Sequence, residues 1–297
     1  MNGMSLIQRL LAEGPVLTDG AWGTQLQSRG LPAGEFPDLW NLTQPEKVAD
    51  VARAYVDAGS RVILTNTFGA NRLRLQETGL TDRVGAINEA GARLSQDAAG
   101  KHACVFASLG PTGKTLLAGD VSPEEISEAF REQATALARG GADALVVETM
   151  SDLEEAKLAV AAAKQTGLPV VACMVFDSGK DKDRTMMGTT PEIAAAGLLA
   201  AGADVIGANC GQGIAGFVKI CARLKSASTG HPVWIKANAG LPELRDGKLF
   251  YPTKATEFAS LVPALLEAGA SFIGGCCGTS PEFIRAIRQT LDRLVPR

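Results

Sequence analysis

Aromatic residues make up only 5% of this 297-residue sequence, histidine occurs twice, and the formal net charge is -3. So few rings give bases no stacking platform, and so small a negative balance leaves no electrostatic footprint for nucleic acid. No apolar run approaches the ~18 residues of a membrane span. The start of the chain is amphipathic (Leu6, Ile7, Leu10, Leu11) and lacks a signal peptide's apolar core and cleavage site. No C-x-x-C pair is present, and six cysteines in a chain of this size are not a disulfide scaffold. Phosphate loops are missing too. No G-x-G-x-x-G follows the first apolar run, and Gly110-Pro111-Thr112-Gly113-Lys114-Thr115 has Ser108 where a P-loop needs its first glycine. These absences point to a cytoplasmic protein without nucleic-acid or membrane partners.

What is present is alternation. Eight short apolar runs occur, at 16–18, 61–64, 103–106, 144–147, 170–175, 204–206, 233–235 and 270–273. Their continuous apolar character suits parallel strands covered on both faces. Helix starts follow several of them: Ser122-Pro123-Glu124-Glu125, Ser151-Asp152-Leu153-Glu154, Thr190-Pro191-Glu192 and Ser280-Pro281-Glu282, with Thr43-Gln44-Pro45-Glu46 a looser case. A small-residue turn recurs before every second run, at Ala58-Gly59-Ser60, Gly140-Gly141-Ala142, Ala201-Gly202-Ala203 and Ala268-Gly269-Ala270. Glycine there fits a left-handed helix C-cap. With 46% hydrophobic residues the chain can fill one large core, and α/β barrels commonly run to about 250 residues as one domain. The expectation is an α/β chain: a single (β/α)8 TIM barrel over 1–293 with a short N-terminal helix, ahead of a doubly wound open sheet. The ending 294–297 (Leu294-Val295-Pro296-Arg297) matches what thrombin cleavage leaves and is set aside from the fold.

In a barrel, chemistry belongs at the C-terminal strand ends. Gly274-Gly275-Cys276-Cys277-Gly278-Thr279-Ser280-Pro281 lies at the last of them. Neighbouring side chains on a strand point to opposite faces, so two adjacent thiols share a face only if the backbone leaves the strand, which glycine permits. Cys210, in Ala208-Asn209-Cys210-Gly211, ends the sixth run. Three thiolates from two strand ends would make a site for a soft or borderline metal, zinc with one open position fitting best. On spacing alone, packed buried thiols remain the commoner alternative. Cys104 and Cys173 lie inside runs and Cys221 on a helix, and both His102 and His231 precede strands, at the opposite end.

The strand ends carry a resemblance. Asp19-Gly20-Ala21, Thr65-Asn66-Thr67-Phe68-Gly69-Ala70-Asn71, Glu148-Thr149, Asn209-Cys210, Asn238-Ala239-Gly240-Leu241-Pro242 and the paired-cysteine segment together resemble the homocysteine S-methyltransferase family, over nearly the whole chain. The resemblance implies a zinc-dependent barrel that methylates homocysteine to methionine, with Cys210, Cys276 and Cys277 as zinc ligands. Entry of the substrate thiol into the open position would deprotonate it, so no strong general base is required. Asp19 and Glu148 would hold the substrate ammonium, and backbone N–H groups at Gly20 and Ala21 its carboxylate. Either acid could instead bond loop backbone or cap a helix. Asn66 and Thr67 would shape the pocket. Asn238 would support the rim, or its carboxamide oxygen would fill the fourth zinc position without substrate.

The family's betaine-using branch surrounds its donor with aromatic residues. Here Thr149 and Gly69 stand where that branch carries tyrosines, and Trp22, Phe36 and Trp40 are better read as packing. The motifs are more similar to the homocysteine-binding module of cobalamin-dependent methionine synthases. That likeness implies a corrinoid on a separate protein as methyl source, ahead of a small sulfonium such as S-methylmethionine. Two rivals stand beside it: a Schiff-base lyase using Lys236, and a non-catalytic zinc- or thiol-binding subunit of a methyl-transfer assembly. The run Lys180-Asp181-Lys182-Asp183-Arg184 reads as a solvated loop.

Overall fold

A computed structural model describes residues 4–245 and 248–294, so 295–297 of the set-aside ending lie outside the described residues. The strands are β1 (Val16–Leu17), β2 (Val62–Ile63), β3 (Cys104–Leu109), β4 (Ala144–Met150), β5 (Val170–Met174), β6 (Val205–Gly213) and β7 (Val233–Asn238). A hairpin of β8 (Glu243–Arg245) and β9 (Lys248–Phe250) follows, then β10 (Ala270–Gly275). Eight of them form one parallel sheet in the order β1-β10-β7-β6-β5-β4-β3-β2. That order follows the chain round a ring, which excludes the doubly wound sheet. The seam between β1 and β2 is closed by few bonds: Arg61 N–H donates to the Leu17 carbonyl at 2.8 Å, and Leu64 N–H to the Asp19 carboxylate at 2.7 Å. The result is a (β/α)8 TIM barrel.

The helices begin and end as their sequences dictate. Ser122 accepts the Glu125 N–H while the Glu125 side chain reaches back to the Ser122 N–H, a capping box with Pro123 in the first turn. Thr190 and Asp152 cap their helices more simply, accepting the Ile193 and Glu154 N–H groups. The recurring turn is also as expected, with Gly59, Gly141, Gly202 and Gly269 at φ of 98°, 98°, 102° and 100°. A side chain at such angles is strained, so the repeat is a backbone requirement.

The interior divides into two layers. At the N-terminal end, Val16, Val62, Phe106, Val146, Val171, Val205, Trp234 and Phe272 fill the barrel, and Ile7 and Leu10 of the helix Leu6–Leu11 plug it. The Trp234 ring lies 5.2 Å from Phe272 and 6.0 Å from Phe106, centroid to centroid. The other end holds polar groups. The hairpin β8–β9, which the sequence pattern did not announce, stands on that rim. Among the described residues no helix is long and apolar enough to cross a membrane.

Candidate metal centre

Two strands end irregularly, and each irregularity aims a thiol. On β6 the ladder with β7 shifts register between Asn209 and Gly213, and Cys210 and Gly211 take positive φ of 61° and 75°. A non-glycine residue in that region is uncommon and strained, a feature that clusters at functional sites. On β10 the regular strand stops at Gly275. A Cβ on Gly274 would lie 2.0 Å from Thr18 Oγ1, and one on Gly275 would lie 2.3 Å from Thr279 Oγ1, so only glycine allows the approach. Thr279 N–H then closes a turn onto the Cys276 carbonyl at 3.1 Å, and Ala239 N–H holds the Cys277 carbonyl at 2.9 Å.

The sulfurs of Cys210, Cys276 and Cys277 consequently lie within 4.8 Å of one another, with Cys210 and Cys277 3.9 Å apart. Sulfurs about 2.3 Å from a tetrahedral zinc stand ~3.8 Å apart, so the spacing fits that ion. The cluster itself favours charge on one sulfur. Hydrogen bonds from Cys276 and Cys277 pull the Cys210 thiol well below its ordinary pKa, and sharing their protons pushes the donors up. One more observation fits a metal. Asn238, near enough to Cys210 to help lower its pKa, has a buried Oδ1 without a partner. An orphaned acceptor beside three thiols suits a cation. The remaining cysteines are inert by burial, Cys221 being pushed up to about 12.

Beside the thiols lies a buried charge cluster. Glu148, at the end of β4, accepts from Ser108 Oγ at 2.5 Å and from Asn209 Nδ2 at 3.3 Å. Burial raises its pKa, while Lys236 and Ser108 oppose the rise. Asp19 is fully buried; one oxygen meets the Lys236 ammonium and the other accepts from Trp22 Nε1 and Leu64 N–H at 2.8 and 2.7 Å. Burial opposes the charge on Lys236, but the Asp19 and Glu148 carboxylates overcome it and raise its pKa above the ordinary value. A Schiff base starts from a neutral, accessible amine. Lys236 is neither.

The other residues named from the sequence sort by where their bonds go. The Ala21 N–H donates to Thr279 Oγ1 at 3.1 Å, and a Cβ on Gly20 would lie 2.7 Å from the Tyr55 hydroxyl. Asn66 Nδ2 donates to the Pro37 carbonyl and Asn41 Oδ1, and Thr67 Oγ1 to the Ser108 carbonyl, so both knit the neighbouring loops. The loop at 110–115 is tied down by Glu155, which accepts from Thr112 N–H and Oγ1 at 2.7 and 2.6 Å. The charged run at 180–184 is anchored as well, Asp183 meeting Arg223 at 2.5 Å. Two residues that the sequence reading gave no role belong to the site. Asn209 holds Thr149 at φ 62° through bonds of 2.8 and 2.7 Å while its Nδ2 approaches Cys276 Sγ at 3.8 Å. It directly precedes Cys210, and that adjacency was the available signal. Tyr251, whose ring lies against Gly278 next to Cys277, comes from the segment after the hairpin, where no pattern marks it.

Comparison with known proteins gives a consistent picture. The pattern of the family described as Homocysteine S-methyltransferase matches residues 16–291. Methionine synthase of Mycobacterium leprae (strain TN) is 32% identical over 310 residues, covering 97% of this chain. Methionine synthase of Mycobacterium tuberculosis (strain ATCC 25618 / H37Rv) is 31% identical over 304 residues, covering 96%. The match spans 25% of the length of each of these relatives. Among solved structures, the metallated form of the homocysteine methyltransferase MmuM from Escherichia coli superposes with a TM-score of 0.79 at 23% identity, covering 95% of this chain and 99% of that one. Its oxidized form gives 0.76 at 25% identity with the same coverage.

Proposed function

Because the chain belongs to the homocysteine S-methyltransferase family, we propose that it transfers a methyl group to the thiol of homocysteine to form methionine, with zinc held by Cys210, Cys276 and Cys277. The observation carrying this is the meeting of three sulfurs within 4.8 Å on a barrel rim, beside a buried carboxylate that can orient an amino acid. Zinc held by three thiolates supplies an open position that takes a fourth sulfur and removes its proton near neutral pH.

The chain's own residues do the rest. Glu148 takes the substrate ammonium, since its buried carboxyl sits above its ordinary pKa and a second cation alongside favours the ionised form. Asp19 contributes less directly, because its oxygens already serve Lys236, Trp22 and Leu64. It fixes Lys236 and shares the ammonium only where that pair relaxes. The backbone N–H of Gly20 takes the carboxylate, that of Ala21 joins it only where its bond to Thr279 Oγ1 opens, and Asn66 and Thr67 hold the loops that wall the pocket. Asn238 Oδ1 is the acceptor that holds the fourth position when substrate is absent. The methyl donor is a methyl-corrinoid on a separate protein, ahead of a small sulfonium. Exposed Phe68, Leu117, Met186, Leu241, Leu244 and Leu249 stand on the loops around the mouth, an apolar rim suited to a protein partner. A small donor needs no such surface.

The test is elemental analysis of wild type, Cys210→Ser and Cys277→Ala, prepared under reducing conditions, then assay for methionine. One zinc per chain is expected in wild type and none in the variants. Methionine should form from homocysteine and methylcobalamin, with activity lost more than about a hundredfold in both variants. A wild type that neither holds zinc nor can be reloaded would sink the proposal. Zinc without methionine from any donor would favour a thiol-binding subunit instead.

A further inference from the structure

Two strained residues sit on strands that are not neighbours, and one side chain joins them. Thr149 has φ 62° and Cys210 has φ 61°, a region uncommon for any residue but glycine and an outlier for β-branched threonine. Both fall where a ladder slips. Val147 and Met150 of β4 pair with Ala172 and Met174 of β5, so β4 carries one extra residue at Glu148-Thr149. Asn209 and Gly213 of β6 pair with Lys236 and Asn238 of β7, so β6 carries two extra within 210–212. Bulges of this kind re-aim side chains. Asn209, fully buried, ties the two together. Its Oδ1 accepts the Thr149 N–H at 2.8 Å, and its Nδ2 donates to Thr149 Oγ1 at 2.7 Å and to Glu148 Oε2 at 3.3 Å. Since β5 lies between β4 and β6, the amide bridges an intervening strand. Ser108 Oγ fixes the other Glu148 oxygen from β3.

What matters is the cargo at the two ends of this clamp. In the proposed zinc-thiol chemistry, Glu148 takes the substrate ammonium, and Cys210 helps hold the metal that receives the substrate sulfur. Asn209 directly precedes Cys210 in the chain and grips the residue directly after Glu148. One buried amide therefore sets the separation between the group that takes nitrogen and the group that takes sulfur. We propose, on the basis of that reading of the site, that Asn209 is a positioning residue that fixes this separation, so that the site selects its substrate by the length between ammonium and thiol. Homocysteine satisfies both ends. An amino-acid thiol that differs by a methylene satisfies one end at the expense of the other. The amide itself is occupied within the clamp, its hydrogens on Thr149 and Glu148 and its oxygen on the Thr149 N–H, so it acts through its neighbours and not by touching substrate. The strain at Thr149 and Cys210 fits this role, because such conformations persist only where the surroundings over-determine them.

Zinc-loaded wild type, Asn209→Ala and Thr149→Ala would be titrated by calorimetry with homocysteine, with its homologue one methylene longer, and with its deamino analogue. No methyl donor is needed. Wild type should bind homocysteine about 10–200 times more tightly than the longer homologue, the usual worth of one methylene in a fitted pocket. Asn209→Ala should lose most of that ratio through weaker homocysteine binding. The deamino analogue has no ammonium to misplace and should bind the variant as it binds wild type. Thr149→Ala removes only the Oγ1 acceptor and keeps the N–H bond to Asn209, so a smaller loss in the same direction is expected. It carries the test if Asn209→Ala does not fold. An unchanged ratio in both variants would overturn the clamp, and so would equal weakening of homocysteine and the deamino analogue, which reports a damaged metal site. Wild type that binds none of the three thiols would overturn the zinc-thiol chemistry itself, and the clamp with it.

Discussion

The two ends of this barrel are made by the same strands and obey opposite rules. At the N-terminal end Phe106, Trp234 and Phe272 pack against valines and a helical plug, and burial alone stabilises the layer. At the C-terminal end Asp19, Glu148 and Lys236 are just as buried, yet each is a charge that costs free energy to remove from water. β7 passes through both regimes in two residues, from Trp234 to Lys236. The lower layer supplies the stability that lets the upper layer keep a charge cluster and two strained strand ends.

The sharpest way to break that comparison is a matched pair of substitutions. Phe272→Ala should cost about 3–5 kcal/mol by opening a cavity. Lys236→Met should cost a similar ~3–5 kcal/mol by leaving two buried carboxylates without their cation. Equal size hides different causes. As pH falls, the carboxylates take up protons, so the Lys236→Met deficit should shrink while the Phe272→Ala deficit holds. Denaturant unfolding across pH reads this directly. Phe272→Ala should also keep its metal content and its KM for homocysteine, whereas Lys236→Met should raise KM. A deficit in Lys236→Met that does not vary with pH would show that its methylenes, and not its charge, support the upper layer.

How much of this was visible beforehand follows from the same geometry. Parallel strands place their C-terminal ends on one face, so Cys210, Cys276, Cys277, Asp19 and Glu148 could be gathered from strand ends alone. The glycine turns at Gly59, Gly141, Gly202 and Gly269 gave the count of units because one backbone angle recurs. The ion pair of Asp19 and Lys236 was out of reach. Its partners are 217 residues apart, and they meet only because β10 inserts between β1 and β7. A lysine inside an apolar strand reads as a free amine until its counter-charge is placed. The hairpin β8–β9 was likewise hidden, since three-residue strands have too little alternation to declare themselves.

A smaller effect separates paired from unpaired buried acids on the same rim. Asp38 is buried with the Gly69 N–H at 2.9 Å, and burial pushes its pKa up to about 7, against the opposing pull of that N–H and of Arg74. A carboxyl whose folded pKa exceeds its unfolded one binds more protons in the native state between the two values. Stability therefore falls as pH rises from about 4 to about 7 and is level above that. Asp38→Asn keeps the acceptor for Gly69 and removes the ionisation. Its unfolding free energy, measured in urea, should match wild type near pH 4 and exceed it above pH 7, by on the order of a few kcal/mol at most. A constant difference across that range would assign the effect to something other than the buried charge.

The smallest expected effect guards against equating the C-terminal face with function. Ser122 stands on that face, but its bonds serve only the first turn of the helix Pro123–Arg139. Ser122→Ala should cost about 1 kcal/mol, the usual worth of an N-cap, and leave metal content and homocysteine KM unchanged. Urea unfolding and elemental analysis on one preparation measure both. If metal were lost along with the cap, the rim would have to be treated as one coupled unit. The contrast would then lie between whole ends of the barrel, and no longer between a charged inner cluster and the helices that merely start beside it.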